Sequence, residues 1–132
     1  MDEQEVAKVE KANEALYRAF ESLDVQRMAA AWADEATVTV IHPGWPLIRG
    51  HDDVLASWAR IFEHASLMQF AITGTVITIA GDWAWVTCTE NITSVNDGRV
   101  SEGRVQATNI FVRKRGRWLC MHHHGSPLSL GG

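Results

Sequence analysis

The chain has 132 residues, a net charge of −4 and 46% hydrophobic residues. That length fits one domain spanning 1–132 and burying roughly 65–70% of its unfolded surface, and no repeat, low-complexity tract or membrane-length apolar run is present. Acidic residues cluster near the start and the one basic run, RKRGR at 113–117, is short and sits at a turn, so neither a nucleic acid nor a membrane is expected as partner.

The opening MDEQEVAKVEKANEAL has neither the basic start nor the apolar middle of a signal peptide, which implies a cytoplasmic protein. Within it and just beyond, Val6, Val9, Asn13, Leu16, Tyr17 and Phe20 recur at spacings of three and four and mark one face of a helix. Asp24 is placed to cap a second, short helix carrying Met28, Ala29 and Trp32. The β-branched alternation of ATVTVI, 36–41, predicts a strand. HPGW follows it, with Pro43 and Gly44 central in a type II turn and His42 and Trp45 flanking it. A third helix is predicted from Asp52 to His64, burying Val54, Leu55, Trp58, Ile61 and Phe62.

After Ser66 the period changes to two. Strands are predicted over 67–80, 83–95, 99–113 and 118–126, separated by Gly81-Asp82, Asp97-Gly98 and Arg115-Gly116, all suited to two-residue hairpins. Helices followed by a meander of long strands make an α+β fold, a sheet with helices packed on one face.

Two-residue turns fix register, so facing residues can be read off. Val86 falls opposite Asn109 and Asn109 opposite His122; Cys88 falls opposite Ala107 and Ala107 opposite His124. One face then collects Val86, Cys88, Glu90, Asn109, Phe111, Cys120, His122, His124 and Ser126, apolar at one end and polar at the other, as in a core that opens into a pocket. The thiols of Cys88 and Cys120 lie two strands apart, about 10 Å or more, too far for a disulfide. The opposite face carries Trp83, Trp85, Ile110, Val112, Leu119 and Met121, with Thr87, Thr108 and His123 beyond. Six large apolar side chains in adjacent rows form a patch that a second copy would cover, giving a homodimer.

Three segments, WADEATVTVIHPGWPLIRG, ASWARIF and GRWLCMHHHGSP, together resemble the SnoaL-like branch of the NTF2-like superfamily over nearly the whole chain. The resemblance implies an NTF2-like cone: three N-terminal helices packed on a strongly curved, mostly antiparallel sheet around a pocket, commonly as a dimer. That superfamily includes polyketide cyclases, a ketosteroid isomerase, dehydratases, an epoxide hydrolase and a non-catalytic kinase hub, so fold alone selects no reaction. Where the isomerases carry a carboxylate base before a proline, this chain has His42; where they carry a second acid, it has Asn109. Their first-helix tyrosine falls near Leu16, one position from Tyr17. These departures argue against steroid isomerisation.

Three readings follow from the residues. In the first, the protein binds a small apolar or aromatic acid, with Trp45 and Trp58 as walls and Tyr17, His124 and Ser126 as further contacts. In the second, it is an isomerase, cyclase or dehydratase working beside a carbonyl. His42 or His122 is then the general base, Asn109 orients an imidazole, and Glu90 raises its basicity. In the third, His122 and His124 share a metal ion with Glu90 or His42, or the domain is a dimeric association module. No cofactor is expected, and binding without an assigned activity is the leading expectation.

Overall fold

In the computed structural model, which describes residues 2–129, the chain begins with two helices, α1 (Glu3–Ser22) and α2 (Val25–Ala31). Short strands β1 (Thr39–Ile41) and β2 (Ile48–Arg49) precede helix α3 (His51–His64). Four long strands complete it: β3 (Ala65–Ala80), β4 (Trp83–Asn96), β5 (Arg99–Lys114) and β6 (Arg117–Pro127). Asp2 caps α1 by accepting from the Gln4 amide at 2.9 Å, and Asp24 caps α2 through Gln26 at 2.8 Å. Leu23, with φ 56°, turns the chain between the two helices. The strand expected over 36–41 shortens to its last three residues. Trp45 donates its amide to the His42 carbonyl at 2.8 Å and Gly44 has φ 80°, which is the expected type II turn.

The strands form one six-stranded sheet in the order β2-β1-β6-β5-β4-β3, antiparallel except for β1 beside β6. The sheet is curved and open, and the helices pack on one face of it. Val9, Leu16, Tyr17 and Phe20 of α1 and Val54, Trp58 and Phe62 of α3 meet Phe70, Val86, Ala107 and Phe111 of the sheet in one core. No helix among the described residues is long and apolar enough to cross a membrane. Both cysteines are free and buried.

All three hairpins turn where expected. Asp97 and Arg115 hold φ of 51° and 53° before glycines at 80° and 77°, the geometry of type I′ turns. The β4–β5 register runs unbroken from Trp83 opposite Val112 to Asn96 opposite Arg99, so Val86 does face Asn109. The β5–β6 register starts as expected, from Lys114 opposite Arg117 to Phe111 opposite Cys120, and then slips by one: Ile110 faces His122, Asn109 faces His123 and Thr108 faces His124.

Met121 is the inserted residue. A bulge bends its strand and raises the local twist, which suits a curling sheet whose final strand must also receive β1 as a parallel neighbour at His122, His123 and His124. Because side chains alternate, this slip exchanges the faces of everything after it. The expected pairing of His122 with Asn109 is therefore replaced by His123 with Asn109. The expected inward aim of His122 and His124 is reversed as well. His123 is 3% exposed, whereas His122 is half-buried and His124 and Ser126 are exposed. The apolar patch is also smaller than expected: Trp83 and Trp85 stay 46% and 42% exposed, but Val112 and Met121 are buried within the chain.

Candidate functional site

Five polar side chains that are far apart in sequence converge beneath α1. Asn109, on β5, gives its two amide hydrogens to Asn13 Oδ1 at 2.9 Å and to the Tyr17 hydroxyl at 3.1 Å. Its Oδ1 accepts from His123 Nδ1 at 2.5 Å. Tyr17 in turn donates to Glu90 Oε2 at 2.6 Å, with Cys88 Sγ 3.5 Å from the same hydroxyl. The chain closes on itself, since His123 Nε2 stands 3.8 Å from Glu90 Oε2. Asn109 is thereby fully used, and its orientation places the His123 proton on Nδ1 and leaves Nε2 as the acceptor facing the carboxyl.

α1 supplies Asn13 and Tyr17 because four residues are about one helical turn, so both face the sheet. Strand alternation supplies Glu90 and Asn109, and the bulge in β6 supplies His123. Burial pushes the Glu90 carboxyl up to about 7, against the opposing pull of the Tyr17 hydrogen bond. Burial, reinforced by the neighbouring imidazoles of His42, His122 and His124, pulls His123 down to about 3. Near neutral pH the His123–Glu90 contact is thus a neutral imidazole beside a carboxyl that exchanges its proton. Burial also raises Tyr17 and Cys88, so both stay protonated.

A second imidazole lies under the turn. His42 is pulled down to about 4 by burial and packs edge-on against Trp45 and Trp58, with ring centroids 4.9 Å and 4.4 Å away. Its Nε2 is 2.9 Å from Ser57 Oγ, while the Ser57 hydroxyl donates to the Val54 carbonyl at 2.6 Å. The one hydroxyl hydrogen is committed to the helix, so His42 donates and Ser57 is not an activated nucleophile. Trp58 sits between the two halves, 5.8 Å from the His123 ring, and its buried Nε1 has no hydrogen-bond partner among the described residues.

A cleft of about 520 Å³ opens between α1 and β3, walled by Phe70 and Ile72, rimmed by Glu10 and Glu14, and ending on Asn13 and Tyr17. It therefore stops one hydrogen bond short of Glu90.

The sequence model of the SnoaL-like domain matches residues 9–129. The chain belongs to the SnoaL-like domain family. Its backbone is similar to a Streptomyces avermitilis protein of the NTF2-like family named as a candidate dehydratase, at 36% identity and TM-score 0.90 over 98% of this chain and 99% of that one. It is also similar to a ketosteroid isomerase-like protein from Erwinia carotovora atroseptica, at 26% identity and TM-score 0.83, covering 98% of this chain and 99% of the other. In sequence it is 31% identical over 104 residues to the F-box protein SKIP8 of Arabidopsis thaliana, a match covering 79% of this chain and 42% of that protein. The SnoaL-like chain thus spans less than half the length of that plant relative.

Of the residues expected from sequence, Tyr17, Glu90 and Asn109 come together in this SnoaL-like domain, with His42 and Trp58 packed alongside. Trp45 is half-buried over His42. His122 lies on the other face of the sheet, its Nδ1 2.6 Å from Thr39 Oγ1, with the His124 ring 6.2 Å away. Since Glu90 and His42 are on the inner side, the expected metal set of His122, His124 and either of them is not assembled. Among the described residues no group of three or more His, Cys, Asp or Glu side chains could hold a metal ion. Sequence reasoning missed Asn13, Ser57 and His123. Asn13 was visible as a polar residue on an apolar helix face, and the run Leu119-Cys120-Met121 marked the broken alternation that turns His123 inward.

Proposed function

We propose that this SnoaL-like domain binds a small, largely apolar molecule in the α1–β3 cleft and moves a proton on it, Glu90 being the exchanging group and the Tyr17 hydroxyl the link to the ligand. The observation that carries this reading is Glu90 itself. A carboxyl buried under the helices, raised to about 7 and bonded to a tyrosine on the cleft wall, is poised to give or take a proton near neutral pH. The chemistry that fits is proton transfer beside a carbonyl or loss of a β-hydroxyl, the isomerase and dehydratase class. Histidine is then not the charged acid: His123 orients the network through Asn109 and offers Nε2 as a neutral acceptor.

Binding without chemistry is the second reading, favoured by one observation: Asn109 has every amide atom satisfied within the protein, as in a structural polar network. Deuterium exchange at the carbon beside the carbonyl, followed by NMR over a panel of enolisable ketones, separates the two. Wild type should exceed the buffer rate, and Glu90→Gln should lose about 100-fold of that excess. An unchanged Glu90→Gln rate removes Glu90 from the mechanism. Exchange at the buffer rate, with amide shifts still moving at Phe70 and Ile72, leaves binding alone.

A further inference from the structure

The rim of the cleft carries a charge that the network beneath it does not explain. Glu10, Asn13, Glu14 and Tyr17 form one stripe along α1, and all four line the cleft. Neither Glu10 nor Glu14 has a hydrogen-bond or ion-pair partner among the described residues, and like charges four apart on a helix disfavour it. The β3 wall, Phe70 to Ile72 and Thr75, brings no ionisable group. The single cation of the lining, Arg18, is held by Glu21 at 2.7 Å, and the second oxygen of Glu21 accepts from the Phe70 amide at 2.9 Å. Arg18 and Glu21 cancel, and two uncompensated carboxylates remain facing the opening.

We infer that the cleft selects a ligand with a positively charged amine at its outer end and a hydrogen-bonding carbonyl or hydroxyl at its inner end. The inner oxygen meets the Asn13 side-chain NH2, since Asn109 holds the Asn13 oxygen and Glu90 holds the Tyr17 hydrogen, and the apolar body lies on Phe70 and Ile72. Along the helix axis, Glu14 stands about 5 Å and Glu10 about 10 Å from Tyr17, which sets the spacing between amine and oxygen at the length of one substituted aromatic ring. This inference rests on the cleft being the binding site, and it replaces the expectation of an acidic ligand with its opposite.

Three probes share one skeleton and differ in the charge at one end: para-(aminomethyl)acetophenone, para-(hydroxymethyl)acetophenone and para-acetylbenzoate. Their affinities are measured by NMR titration with the intact chain. The ammonium probe should bind about 5- to 10-fold tighter than the neutral one and the carboxylate weakest, as two partly screened carboxylates allow, with the spread shrinking as salt rises. In the Glu10→Gln/Glu14→Gln variant the order should collapse. In Glu63→Gln, which removes an exposed carboxylate on α3, it should persist. Equal affinities, a preference for the carboxylate, no binding of any probe, or an order unmoved by the double variant each overturn the inference. Loss of ketone exchange with the charge order intact would end the proton chemistry and leave this inference standing; the reverse result would do the opposite.

Discussion

Replacing Glu90 with Gln should make the protein gain stability relative to wild type as pH rises. The folded Glu90 carboxyl lies at about 7, against 4.5 for an unperturbed carboxyl. Between these values the folded state holds a proton that the unfolded chain has released. The stabilisation is complete below 4.5 and is lost as pH rises through about 7. Converted, this difference is about 3 kcal/mol in full, of which roughly 2.5 kcal/mol falls between about pH 5 and pH 8. Gln is nearly isosteric, accepts from Tyr17 as the carboxyl does, and does not titrate. The histidines act in the other direction. His42 and His123, at about 4 and about 3, sit below their unfolded value of 6.5, so they cost stability as pH falls. They are common to both proteins and cancel in the difference. Urea unfolding of wild type and Glu90→Gln at several values from about pH 5 to about pH 8 measures it. The stability of the variant minus that of wild type should climb by about 2–3 kcal/mol across the range. A difference flat to within about 0.5 kcal/mol would mean that Glu90 titrates as an ordinary carboxyl, and the buried proton-exchanging group would be gone.

Nitrogen-detected NMR of the imidazoles should find His42 and His123 neutral at about pH 6, with His123 protonated on Nδ1; a charged His123 there would break the assigned hydrogen-bond order. Gly125→Ala would bring a Cβ to 3.0 Å from Val105 Cγ1 and 3.2 Å from Pro43 Cγ. It should cost about 1–3 kcal/mol in urea unfolding, and an unchanged midpoint would show that Val105 swings aside. Trp83 and Trp85 leave an apolar outer face, for which we propose a second copy as cover. Light scattering should give a dimer mass at micromolar concentration for wild type and a monomer for Trp85→Glu, and a wild-type monomer at every concentration refutes it.

The local elements were legible because their causes are local. Asp24 announces the start of α2, and the spacing of three and four marks the buried face of α1. HPGW makes its turn, and three dipeptides set three hairpins. Turn chemistry also carried the register correctly for as long as pairing ran unbroken, the whole of β4–β5 and the first four rungs of β5–β6. From that register Val86, Cys88, Glu90 and Asn109 were placed on the inner face, and helical spacing placed Tyr17 on the inner side of α1.

What the sequence determined, then, was the three helices, the turn after β1 and the three hairpins, whose causes lie within a few residues, together with the face of β4, β5 and β6 up to the first irregularity; the short β2 was not among them. The tertiary structure alone decided which histidine meets Asn109. A single inserted residue at Met121 reverses the parity of all that follows, and what suits the insertion is the curl of the sheet and the arrival alongside β6 of β1, a segment about 80 residues away. The polar network depends on tertiary placement too, since Asn13 and Tyr17 reach Glu90 and Asn109 only once α1 has packed across the sheet, and burial there is what moves the carboxyl toward neutrality.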